Sequence, residues 1–194
     1  MLLMDGLEIL DRTVSAVDKV RERLLRATAA LGDAGVVYAV AGGNAVAVWV
    51  EDFGEGGERN TPNVDLLIDR ADSTLASAAL QSIGFFATPD SPDLFLDGPS
   101  GSLRTRLRLI FAGERVNETD LLPNPGVEEV VQLNGFAVLS LPALVQTKLV
   151  AYRIIDRVHL RDLLGIGLID ASWKDRSPPE LAERLQVLAD DPNG

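Results

Sequence analysis

Residues 36–50, VVYAVAGGNAVAVWV, and residues 59–69, RNTPNVDLLID, decide the fold of this chain. Val36 to Ala41 is an unbroken β-prone run, which suits a strand buried on both faces. Gly42-Gly43 then breaks the chain, and Asn44 to Val50 reads as a short apolar helix. Glu51 to Pro62 is a polar, glycine-rich loop, and Asn63 to Asp69 reads as a second strand. A glycine pair after a strand lets the backbone approach a phosphate and offer it N–H groups, with a helix N-terminus just behind. Residues two apart on a strand share a face, so Asn63 and Asp65 point the same way.

Working outward, Leu7, Leu10, Val14, Val17, Val20, Leu24, Ala27 and Leu31 recur at three- and four-residue steps and predict a long amphipathic helix. Gly32 and Gly35 end it. On the other side, Asp72 is placed to cap a helix from Ser73 to about Ser82. Phe85 to Thr88 and Leu94 to Leu96 are short strand candidates, and Arg104 to Ala112 alternates like a longer strand. Val127 to Leu133 and Phe136 to Leu139 flank Asn134-Gly135, a dipeptide that favours a hairpin turn. Helices are expected over Leu141 to Ile155, with Pro142 in the first turn, and over Glu180 to about Ala189 behind Pro178 and Pro179, and His159 to Ile169 reads as another helix or two short turns. The class is α+β on a mixed, mostly antiparallel sheet in one domain, residues 1–194. An N-terminal helix (1–35) precedes a sheet core (36–140) and a helical tail (141–194).

Composition narrows the chemistry. Of 194 residues 46% are hydrophobic and 24% charged, a globular balance with enough chain for a real core. There is no cysteine, which excludes disulfides, thiolate metal sites and cysteine nucleophiles, and the single histidine, His159, excludes a multi-histidine metal site. A formal net charge of −11 gives no general attraction to DNA, RNA or anionic lipid. Met1 to Leu10 carries Asp5 and Glu8 and lacks the features of a signal peptide, and no apolar run approaches a membrane span. A cytoplasmic location is the expectation.

The strand ending in Gly42-Gly43, followed by Arg59-x-Thr61-x-Asn63-Val64-Asp65, resembles the signature of the nucleotidyltransferase superfamily of the minimal, bacterial type. The resemblance covers residues 36–112 and extends more weakly to the helix around Lys148 and to Asp156–Asp162. It implies a nucleotidyltransferase-type sheet with an NTP as substrate or ligand. Gly42, Gly43, Asn44, Thr61, Asn63, Arg108 and Lys148 would line the nucleotide, and Asp65 would be catalytic and hold Mg²⁺. In such enzymes paired carboxylates on one strand and a third on a neighbour hold two magnesium ions beside the phosphates.

This sequence departs from that pattern. The first carboxylate position is Asn63, which can coordinate a cation through its carbonyl but adds no charge. The third falls at Arg108, and Arg104 to Gly113 contains no acid in any register. Arg104, Arg106 and Arg108 alternate, so they are expected on one strand face, with Leu107, Leu109 and Phe111 facing the core. That row is either a solvated face paired with acids or a grip on phosphates without metal. Asp69 reads as a turn residue beside Arg70. In the tail, Asp156, Arg157, His159 and Asp162 read as an ion-pair network joining tail to sheet; His159 as a general base is the other reading.

Two functions follow. One is a nucleotidyltransferase-like protein that binds a nucleotide with impaired or lost transfer. The alternative is an active Mg²⁺-dependent nucleotidyltransferase moving NMP from an NTP to a hydroxyl on a protein, RNA or small molecule. The resemblance places the latter in a toxin or defence setting, with an antitoxin-like partner protein.

Overall fold

The computed structural model of the chain describes residues 6–54 and 61–191, and the side chains of 16–54 and 61–191. Helix α1 (Gly6–Asp33) buries Val20, Leu24, Ala27 and Leu31 along one stripe. Gly35, at φ +74°, turns the chain out of the helix. Strand β1 (Tyr38–Ala41) follows, then α2 (Gly42–Asp52) and β2 (Val64–Ile68). Next come α3 (Ser73–Ser82), β3 (Phe85–Thr88), β4 (Ser91–Asp97) and β5 (Leu107–Phe111). A hairpin of β6 (Val130–Leu133) and β7 (Phe136–Leu139) leads into α4 (Leu141–Ala151), α5 (Ile154–Gly165) and α6 (Pro179–Asp190).

The strands form one mixed sheet in the order β3-β4-β5-β2-β1-β7-β6. The central pair, β1 and β2, is antiparallel, and each has a parallel neighbour outside it, β7 and β5 respectively. The outer pairings β3–β4, β4–β5 and β6–β7 are antiparallel. Ala39, Val40, Leu66, Leu67 and Ile68 are all buried, so both faces of the central strands are covered. That is why their sequences run apolar without alternation. Asn134 and Gly135 both take positive φ, 51° and 84°, as a two-residue hairpin turn with the sheet's own twist requires.

Polar bonds tie α2 to the sheet and the helices of the tail to one another; the ion pairs of Asp156, expected to join tail to sheet, go to Lys148 and Arg153 within the tail. The Trp49 indole of α2 donates to the Leu139 carbonyl at 2.9 Å. Arg184 of α6 donates to the carbonyls of Leu149 and Val150, at 2.6 and 2.9 Å, beyond the end of what α4 can satisfy internally. The Tyr152 hydroxyl returns a bond to the Arg184 carbonyl at 3.1 Å. No helix among the described residues is long and apolar enough to cross a membrane.

Several expectations change. The glycine pair is the first turn of α2, which begins at Gly42 and not at Asn44. The row of three arginines does not form: Ser102 caps a 3₁₀ turn over Leu103–Thr105, and β5 starts only at Leu107. Arg104 sits in that turn, the Arg106 side chain donates to the Leu103 carbonyl at 3.0 Å, and of the three only Arg108 lies within β5. Asp72 ends a 3₁₀ turn (Arg70–Asp72) and makes no side-chain cap to α3. The helix expected over Leu141 to Ile155 breaks at Tyr152, which takes φ 46°, and α5 starts at Ile154. Arg59 of the motif and the side chains of Leu7, Leu10 and Val14 lie outside the described residues.

Candidate functional site

β2 and β5 run parallel in a register that sets Asp65 beside Arg108, and on the other side Ala41 of β1 pairs with Asp65. Side chains on paired positions share a face, so Asp65 and Arg108 meet there. Arg108 Nε donates to Asp65 Oδ1 at 3.0 Å. Their neighbours Leu66, Leu107 and Leu109 turn to the opposite face and are buried. Gly42 closes the top of this arrangement. It takes φ +65°, and a Cβ there would collide with Asp65 Oδ2. Only glycine lets α2 start this close to the carboxylate.

α4 and α5 form the opposite wall. Lys148 of α4 donates to Asp156 Oδ1 of α5 at 3.0 Å, and the two side chains are 5% and 1% exposed. Arg153 adds a bond from Nε to Asp156 Oδ2 at 2.7 Å. Asp156 also accepts the backbone N–H of Arg153 at 3.3 Å, which holds the first turn of α5. Two cations therefore share one buried carboxylate. Burial alone would raise the Asp156 carboxyl, but its bonds from Arg153 and Lys148 hold it below the ordinary carboxylate value. Burial drives the Lys148 ammonium below the ordinary lysine value, against the pull of Asp156 and Asp65.

Between the walls lies a cleft of about 140 Å³. Its charged lining is Asp65, Asp120, Asp156, Arg108, Lys148 and Arg153. Asn117, Asn124 and Thr147 add neutral polar groups, and Ile110, Val116, Leu122 and Pro123 an apolar side. Asp120 accepts the Asn117 backbone N–H at 2.8 Å, which folds the loop that carries both.

Of the residues singled out in the sequence, the structure brings Gly42, Asp65, Arg108 and Lys148 together. Gly43 instead abuts Thr61, where an added Cβ would collide with the threonine side chain. Asn44 is buried and donates to the Asn63 carbonyl at 2.6 Å, which ties α2 to the start of β2. Asn44 and Thr61 line a separate groove against α1. Asn63 lines neither hollow; its amide oxygen is buried and has no hydrogen-bond partner among the described residues. His159 is buried in α5 and does not line the cleft. The sequence reading did not assign Asp120, Asn117, Arg153 and Asp156 to the site. An Asn-x-x-Asp turn pattern at 117–120 and an acid three residues into α5 were the signals that could have found them.

The donor set does not fit a pair of magnesium ions. Asp65 already accepts from Arg108, a cation stands at the neighbouring strand position, and Asn63 is not among the residues that line the cleft. Among the described residues no three Asp, Glu, His or Cys side chains group as a metal cage. What the arrangement offers chemically is a guanidinium whose bond to Asp65 uses Nε and leaves its terminal NH₂ groups to a second acceptor. Comparison of the chain with protein families, with curated proteins and with solved structures finds no match.

Proposed function

We propose that this is a nucleotidyltransferase-like protein that binds a nucleotide in the cleft through its phosphate, with nucleotidyl transfer impaired or lost. The observation that carries the reading is the placement of Arg108 beside Asp65, on paired strands, under the glycine that opens α2. Where the resembled enzymes need a third carboxylate, this chain has a guanidinium. A guanidinium binds phosphate oxygens in a planar, two-point fashion and needs no metal to do so. The Gly42 turn and the N-terminus of α2 add backbone N–H groups and a favourable dipole at the same end of the sheet. The apolar side of the cleft is suited to a base or ribose.

Calorimetry with ATP, GTP, CTP and UTP, each with and without Mg²⁺, tests this. Metal-independent binding that disappears in Arg108→Ala is the expected result. Absence of binding by every nucleotide would overturn the proposal. Mg²⁺-dependent binding lost in Asp65→Ala, with label transferred to an acceptor, would replace it with the active-transferase reading.

A further inference from the structure

We infer that the cleft selects a single phosphate monoester, a nucleoside monophosphate and not the triphosphate. The inference rests on the nucleotide-binding reading above and narrows it. The six charged groups of the lining are three acids and three bases, so their formal charges cancel. A triphosphate enters such a site with no net field in its favour.

The cations are also not equally available. Lys148 is buried on Asp156 and cannot turn to a ligand without giving up one of the two cations that hold that 1% exposed carboxylate. Arg153 spends Nε, and less closely one NH₂ group, on the same carboxylate, at 2.7 and 3.4 Å. Arg108 is the least committed of the three, with one side-chain bond, from Nε to Asp65, against two from Arg153 to Asp156. One guanidinium edge matches one phosphate. The second and third phosphates of a triphosphate would then lie among Asp65, Asp120 and Asp156, which line the same small cleft. A monophosphate, with about −1.5 to −2 charge near neutrality, brings less repulsion to those acids. Ile110, Val116, Leu122 and Pro123 supply the apolar side that a nucleoside, and not a bare sugar phosphate, would cover.

The experiment is calorimetry on the full chain in EDTA-containing, magnesium-free buffer. The titrants are the mono-, di- and triphosphates of adenosine, guanosine, cytidine and uridine, with ribose 5-phosphate and inorganic phosphate alongside. The expected order places one nucleoside monophosphate roughly tenfold or more tighter than its triphosphate, with ribose 5-phosphate and inorganic phosphate weaker still. Arg108→Gln should lose the monophosphate, while Arg108→Lys, which keeps the charge and the pair with Asp65, should retain a weaker site. Thermal melts of both variants separate loss of the site from loss of the fold. A triphosphate binding as tightly as its monophosphate, or tighter, overturns this inference and leaves the proposed function standing. Inorganic phosphate binding as tightly as any nucleotide overturns the nucleoside part of it. If no nucleotide binds at all, the proposed function falls first and takes the inference with it.

Discussion

Arg108 and Asp65 stand side by side on parallel strands, joined by a 3.0 Å bond between Nε and Oδ1. The carboxylate therefore takes one N–H of the guanidinium and sets a negative charge beside the edge that a phosphate would use. Asp65→Asn should tighten nucleotide binding in magnesium-free buffer several-fold, since it removes a negative charge beside the incoming phosphate. Calorimetry reads this directly. A loss of binding in Asp65→Asn would show that the carboxylate serves the ligand and does not compete with it.

The tail wall makes an asymmetric prediction about stability. Asp156 keeps Arg153 if Lys148 is replaced, whereas Lys148 loses its carboxylate if Asp156 is replaced. Asp156→Leu should cost about 3–5 kcal/mol, the range for stranding one partner of a buried pair, and Lys148→Met distinctly less. Urea unfolding of the two variants measures the difference. Equal losses would mean that Arg153 contributes nothing to holding Asp156.

The same carboxylate sets an acid limb. Bonds from Arg153 and Lys148 outweigh burial and hold Asp156 below its ordinary value of 3.8. The unfolded chain then binds more protons in that range, so stability rises with pH there. The contribution is complete above the ordinary carboxylate value and is lost as pH falls through the lower folded value. Asp97, held low by Arg26 and Arg23 against its own burial, acts in the same direction. Denaturant midpoints between pH 2 and pH 6 should fall on the acid side, and Asp156→Asn should flatten that fall. An unchanged acid limb in the variant would remove Asp156 from the account.

The two glycines of α2 should separate cleanly. Gly42→Ala forces a side chain onto φ +65° and onto Asp65, at a cost of about 1–3 kcal/mol, and should disturb nucleotide binding. Gly43→Ala meets Thr61, away from the cleft, so it should destabilise without changing binding in the protein that remains folded. Melting temperature and calorimetry together distinguish them. Matching binding losses in both would mean that the glycine pair acts as one unit.

Much of this fold is legible in local chemistry. The Asn134-Gly135 turn and the alternation of Leu107, Leu109 and Phe111 each fix a local geometry and stand as read, whereas the apolar run read as a strand from Val36 forms one only from Tyr38, with Val37 exposed. The errors have local causes as well. Alternation alone counted Arg104 and Arg106 into a strand, but Ser102 offered the backbone a competing bond and a 3₁₀ turn won. The break at Tyr152 has neither glycine nor proline to announce it; a non-glycine residue takes the left-handed conformation, and the Tyr152 hydroxyl bonds to α6. The site was half legible. Gly42, Asp65 and Arg108 follow from strand register, whereas the joining of Arg153 and Asp156 to them depends on how the tail docks. The bond from Arg23 to Asp97, at 3.1 Å, belongs to the same long-range class that no local pattern encodes.

The cleft is also a seam. Asp65 and Arg108 come from the sheet and Gly42 from the start of α2, whereas Lys148, Arg153 and Asp156 come from the helices that follow the sheet. A ligand seated between them would act as a rivet across two parts of the chain, linking occupancy to tail attachment. Filling the cleft should slow amide exchange in α4 and α5 more than in β3, which lies two strands from Arg108 and lines no part of the cleft. Loosening the tail should, in turn, weaken binding in the cleft.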